Sequence, residues 1–166
     1  MPSPPPSPYF IGKTTAIACR SDPRFSYCLY VPHSYHTGKK ASRILLAVHG
    51  TDRRNQQVRD LFSDFAEATN TLVLSPLFPA GLGHDHELDD YKLLRASPIR
   101  FDRIALSMVE EVAVRYGVEA GRFLLFGFSG GAHFAHRFFY GHPERLSAVV
   151  VGAPGSVTLP RTDRQW

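Results

Sequence analysis

Residues 122–131 read Arg122-Phe123-Leu124-Leu125-Phe126-Gly127-Phe128-Ser129-Gly130-Gly131. The apolar run from Arg122 to Phe126 lacks polar alternation, which fits a strand buried on both faces. A helical pattern follows, from about Gly130 to Tyr140, with Ala135, Phe138 and Phe139 on it, and His142-Pro143 ends it. Between strand and helix stands Gly127-x-Ser129-x-Gly131. The chain must pass from strand to helix there within a residue or two, so Ser129 is expected in a strained backbone conformation. The positions two before and two after it crowd the turn, and only small side chains fit. Ser129 Oγ is then displayed at the carboxyl edge of a sheet. The N–H of Gly130 opens the helix, where developing negative charge is favoured. Glycine and serine are common, so the strand before and the helix after give the pattern its weight.

Working outward, Arg43–Val48 is a second continuous apolar run, ended by His49-Gly50-Thr51. Val58, Leu61, Phe62, Phe65 and Ala66 fall at helical spacing. Thr71–Leu74 predicts another buried strand, closed by Pro76. The stretch from Phe78 to Pro98 reads as one long loop, and loops of that length are often site walls or lids. Phe101, Ile104, Met108 and Val112 form one stripe of a helix over 101–116, with Gly117 suited to its end. Ser147–Val151 is the last strand. Near the start, Thr14–Cys19 and Phe25–Val31 read as two strands joined by a Ser21-Asp22-Pro23 turn. The order is ββ, then β-α-β-α-β-α-β. It predicts an α/β fold with a mostly parallel sheet of about six strands, helices on both faces, and an antiparallel hairpin at one edge. Phe101, Phe134, Phe138 and Phe139 are expected in the core.

The chain has 166 residues, 43% hydrophobic and 20% charged, which suits one globular domain and excludes collagen-like, coiled-coil and largely disordered classes. Met1–Pro8 holds five prolines, so residues 1–12 are expected as a disordered tail and 13–166 as a single domain. That tail lacks the basic and apolar regions of a signal peptide, and no apolar run nears the roughly 18 residues of a membrane span. A cytoplasmic address without membrane association is the expectation. The net charge of +4 comes from dispersed cations, which argues against a nucleic-acid partner. Cys19 and Cys28 lie on neighbouring predicted strands, placed either to pair or to stay free and buried.

On these residues the chain resembles the α/β-hydrolase superfamily, most of all its esterase and polyhydroxybutyrate-depolymerase-like branch. The resemblance runs from about residue 14 to 160. It is carried by Val48-His49-Gly50-Thr51, Leu74-Ser75-Pro76-Leu77-Phe78-Pro79 and Leu124 to Gly131. Phe134-Ala135-His136-Arg137-Phe138, His142-Pro143-Glu144-Arg145 and Gly152-Ala153-Pro154-Gly155 add to it. It implies acyl transfer from a small-molecule acyl substrate through a covalent acyl-serine, with no cofactor and no metal. Ser129 is then the nucleophile, and the backbone N–H groups of Gly130 and Thr51 form the oxyanion hole. Gly50 allows close approach, and Phe128 beside the nucleophile is a candidate ligand contact. His49 is expected to pack and hydrogen-bond under its loop rather than act as base.

The family's acid and histidine follow a seventh and an eighth strand, and only residues 153–166 follow Val151-Gly152 here. Two more β-α units cannot fit in them. The expectation is a C-terminally short member without those strands: a shortened gene product, a homologue without hydrolysis, or a chain with a base from elsewhere. His84 or His86, in the loop Gly83-His84-Asp85-His86-Glu87-Leu88-Asp89-Asp90, is the candidate substitute base, oriented by Asp85, Asp89 or Asp90. The His84-x-His86 spacing also suits metal ligands on a strand, a reading not adopted. His133 and His136 descend the helix away from Ser129 Oγ and read as structural. A non-catalytic ligand-binding or interaction subunit is the alternative from another class. Ala148–Val151 would be an open apolar edge, so a homodimer through it, aggregation, or cover by Thr158–Trp166 is expected.

Overall fold

The computed structural model describes residues 10–37, 41–82 and 87–159. Its main sheet is built from β1 (Gly12–Lys13), β2 (Ile17–Ala18), β3 (Ser26–Val31), β4 (Arg43–Val48), β5 (Thr71–Leu77), β8 (Phe123–Phe128) and β9 (Leu146–Gly152). The spatial order is β1-β3-β5-β4-β8-β9, with β2 also paired to β3. β4, β5, β8 and β9 run parallel, while β3 is antiparallel to β5 and to the two short pieces β1 and β2. A mostly parallel α/β sheet with an antiparallel edge is what the element order predicted. The first strand differs, broken into two pairs of residues instead of a continuous Thr14–Cys19.

Side chains on β4 alternate between two cores, as strand geometry requires. Ile44, Leu46 and Val48 enter the larger one, with residues of α3 (Phe101–Tyr116) and α4 (Gly130–Gly141). Leu45 and Ala47 enter the smaller one, beneath α1 (Asn55–Leu61) and α2 (Ser63–Thr69). Helices therefore cover both faces. α3 occupies the predicted span and ends on Gly117, whose φ of 63° is the left-handed cap conformation.

Further details differ from expectation. The helical pattern from Val58 to Ala66 is two helices, interrupted at Phe62. The break resets the helical phase: Phe62 packs edge-on against Phe126 at 4.8 Å between ring centroids, while Leu61 is 78% exposed. β5 continues through Pro76 to Leu77. Its pairing with β4 stops at Leu74, and beyond that point Ser75 Oγ donates to Ala47 O at 2.7 Å, so the N–H that proline lacks is not needed by β4. Phe139 is 42% exposed, although Phe101, Phe134 and Phe138 are buried as expected.

The stretch from Phe78 to Pro98 is not a bare loop. Phe78 is wholly buried, Asp90–Leu93 forms a 3-10 turn, and β6 (Arg95–Ala96) pairs with β7 (Ile99–Arg100). At the amino end, Phe10 packs on the core and its carbonyl accepts from Tyr116 Oη at 2.9 Å. With Gly12 in β1, residues 10–12 are part of the fold instead of the expected tail. Residues 1–9 lie outside the described residues. Cys19 and Cys28 are free and buried, and burial pushes the Cys28 thiol up to about 11. No helix among the described residues is long and apolar enough to cross a membrane.

Candidate active site

The carboxyl ends of the parallel strands β4, β5, β8 and β9 lie at one edge of the sheet, where open α/β sheets bind ligands. β8 ends at Phe128 and α4 begins at Gly130, leaving Ser129 alone between them. Ser129 has φ 53° and ψ −119°. A non-glycine residue there carries strain of about 1–3 kcal/mol, which the surrounding structure must hold. Its N–H donates to Gly152 O at 3.0 Å, and its carbonyl accepts from Ala132 N at 3.0 Å and His133 N at 3.3 Å. The backbone is thus held from both sides while the residue stays exposed. A β-carbon on Gly127 would stand 2.1 Å from Gly131 O, and one on Gly131 would stand 2.3 Å from Val48 O. Both glycines are sterically required.

The segment after β4 meets this elbow. A β-carbon on Gly50 would lie 4.0 Å from Ser129 Cβ, and one on Gly130 would lie 2.8 Å from Thr51 N. Gly50, Thr51, Ser129 and Gly130 therefore come together as expected. The Gly130 N–H opens α4 and has no acceptor within the helix. The carbonyl in the same peptide unit as the Thr51 N–H belongs to Gly50. It accepts from His49 Nδ1 at 2.7 Å and from Arg53 N at 3.2 Å. In a trans peptide the N–H points opposite to that carbonyl. Anchoring Gly50 O therefore fixes the direction of Thr51 N–H.

His49 is wholly buried and accepts from Phe78 N through Nε2 at 3.0 Å. Burial, with Arg53 beside it, pulls its pKa down to about 4 against the hydrogen bond to Gly50. The ring is neutral near pH 7 and carries its proton on Nδ1, a structural part of the loop.

Two residues that sequence reasoning missed complete the floor. Tyr91, on the 3-10 turn, is 1% exposed and donates from Oη to His49 O at 3.2 Å. A β-carbon on Gly130 would stand 2.5 Å from that same Oη. Burial keeps the Tyr91 hydroxyl protonated well above its ordinary range. Arg53 lies over the Tyr91 ring at 5.0 Å and donates to Thr51 O, Phe78 O and Leu88 O. Neither has a periodic or motif signal, because both act through loop contacts.

Phe128 is 57% exposed and lies against Gly152, where a β-carbon would stand 2.8 Å from Phe128 Cδ2. Its ring is displayed next to Ser129 instead of being packed in the core. His84 and His86 lie outside the described residues. His133 and His136 accept amide N–H groups through Nε2, from Gly155 at 3.0 Å and Thr158 at 3.1 Å. They fasten the segment after β9 onto α4, so its described part, to Leu159, sits on the helix. Among the described residues β9 is an outer strand of the sheet, with Val150 55% exposed. A buried Asp102 accepts from Arg100 and from His142 Nε2, the latter at 2.9 Å. Burial raises the Asp102 pKa, but those hydrogen bonds outweigh it and hold the carboxylate below its usual range. This pair joins the start of α3 to the end of α4, away from the strand ends that carry Ser129. Among the described residues Ser129 Oγ makes no hydrogen bond.

Sequence comparison with family models and with curated proteins gives no match. Solved structures do match. The poly(3-hydroxybutyrate) depolymerase from Bordetella parapertussis superposes with a TM-score of 0.75 at 22% identity, covering 94% of this chain and 56% of that one. Poly(aspartic acid) hydrolase-1 from Sphingomonas sp. KT-1 superposes with 0.73 at 20% identity, covering 93% and 61%. The fold is that of the α/β hydrolases. The acetyl xylan esterase from Aspergillus awamori agrees over less of the chain, with a TM-score of 0.59, 17% identity, and coverage of 76% and 46%. The α/β-hydrolase fold here spans about three fifths or less of the length of these neighbours. Within it, the Ser129 elbow and the Gly50–Thr51 segment occupy the ends of neighbouring strands, β8 and β4.

Proposed function

We propose that the chain is a serine-hydrolase-type protein acting on an ester or related small acyl compound. Ser129 Oγ adds to the acyl carbon while its proton passes to a base. The carbonyl oxygen becomes an oxyanion held by the N–H groups of Gly130 and Thr51. Collapse expels the alcohol, which takes up the proton, and leaves an acyl-serine. Water then adds to the acyl carbon, and the acid departs as Ser129 regains its proton. The base in this proposal is His84 or His86, which follow β5 in the sequence. The observation that carries the proposal is the strained, exposed backbone of Ser129 beside two N–H donors. The depolymerase and esterase named above support the substrate class by likeness of fold.

The test is hydrolysis of short-chain p-nitrophenyl esters by purified protein and by Ser129→Ala. Activity lost in the variant supports the proposal; equal rates in both sink it. The second reading is a ligand-binding subunit without catalysis, favoured by the exposed Phe128 ring beside Ser129. Saturable binding of an acyl compound without turnover would favour it.

A further inference from the structure

Arg53 has φ 57°, the left-handed region, where a glycine would rest without strain and an arginine does not. Its side chain is committed in three directions. Nη1 donates to Thr51 O at 2.5 Å, Nε to Phe78 O at 3.3 Å, and Nη2 to Leu88 O at 2.7 Å. Those carbonyls belong to the segment after β4, to the exit from β5, and to the stretch that follows it. A planar guanidinium presents five donors in a rigid fork and can serve three such acceptors, which a lysine ammonium on its flexible stem does not match. The guanidinium also lies 5.0 Å from the centroid of the Tyr91 ring, and Tyr91 Oη returns to His49 O. The result is a closed circuit: His49 to Gly50, Arg53 to Thr51, Arg53 to Tyr91, and Tyr91 to His49.

We infer that Arg53 is a positioning residue: it holds the Thr51 N–H in register with Gly130 and couples that donor to the stretch after β5. The inference rests on the proposed role of Ser129 for its catalytic meaning, while the clamp itself stands on the contacts above. Gly50 O and Thr51 O flank the Thr51 residue, and both are occupied by donors from this circuit. With both carbonyls anchored, the peptide planes on either side of Thr51 cannot rotate, and its N–H stays aimed. A misplacement of about 1 Å in such a donor can cost about 10²-fold in rate.

The experiment is the second-order rate of fluorophosphonate labelling, with amide hydrogen exchange over residues 50–53. The variant is Arg53→Gly, which removes the side chain and relieves the backbone strain, so the protein should fold and keep its thermal midpoint. Labelling slowed by about 10–100-fold, with faster exchange over 50–53, is the expected result. Arg54, whose side chain pairs at the surface with Asp52 at 3.0 Å, serves as control: Arg54→Ala should label at the parent rate. Should Arg53→Gly fail to fold, Arg53→Lys is measured instead, with the same expectation. Labelling at the parent rate overturns the inference, as does slowed labelling with unchanged exchange. No labelling of the parent chain sinks the reading of Ser129 instead, and the exchange comparison still decides whether Arg53 holds the loop.

Discussion

Ser129 donates its backbone N–H to the Gly152 carbonyl at 3.0 Å, one residue beyond the last paired position of β8. The elbow is therefore tied to the end of β9, and this tie keeps the φ of 53° in place against its own strain. Substituting Ser129→Gly should relieve that strain and stabilise the protein by about 1 kcal/mol, whereas Ser129→Ala should be near neutral. Urea unfolding of the three proteins checks this. Equal stability of the glycine and alanine variants would mean that the turn is not strained.

The glycines flanking the elbow make opposite predictions from glycines elsewhere. Gly131→Ala would put a β-carbon 2.3 Å from Val48 O and should cost about 3 kcal/mol. Gly141, at the end of α4, has nothing within 4 Å of such an atom, so Gly141→Ala should be neutral or stabilising by up to about 1 kcal/mol. Thermal unfolding of the pair would contradict the packing argument if both behaved alike.

His49 gives a pH dependence with a definite sign. Its folded pKa, about 4, lies below the ordinary 6.5, so between these values the unfolded chain binds a proton that the folded chain does not. Stability is full above pH 6.5 and should fall as the pH drops towards 4, by about 1.4 kcal/mol per unit at most. His133 and His136, also lowered by burial, act in the same direction. Urea midpoints measured at falling pH should decline, and less steeply for His49→Gln. A parent midpoint that is flat from pH 7 to 5 would contradict the neutral, buried ring.

Val150 and Val151 are 55% and 37% exposed on β9, the outer strand of the sheet among the described residues. Such a strand invites edge-to-edge pairing. The chain is expected to associate in solution, and Val150→Lys to shift it towards monomer. Light scattering on the eluting protein reads this directly, and a clean monomer of the parent chain would overturn it.

The parts legible in the sequence were those set by local rules. α3 follows from an unbroken 3.6-residue stripe and a glycine stop, and the Ser129 elbow from five consecutive residues. The misread parts depend on distant contacts. Leu61 leaves the buried stripe because the helix breaks at Phe62, whose ring packs against Phe126. Tyr91 reaches His49 over a separation of 42 residues, and Arg53 reaches Leu88 over 35, from segments without periodicity. Polar loop residues of this kind look solvated until the loops are placed.

The most direct measurement of the central claim is fluorophosphonate treatment followed by peptide mass mapping. The account predicts a single covalent adduct on the peptide that carries Ser129, lost in Ser129→Ala. Folded protein that takes up no label, or takes it up on another residue, would contradict it.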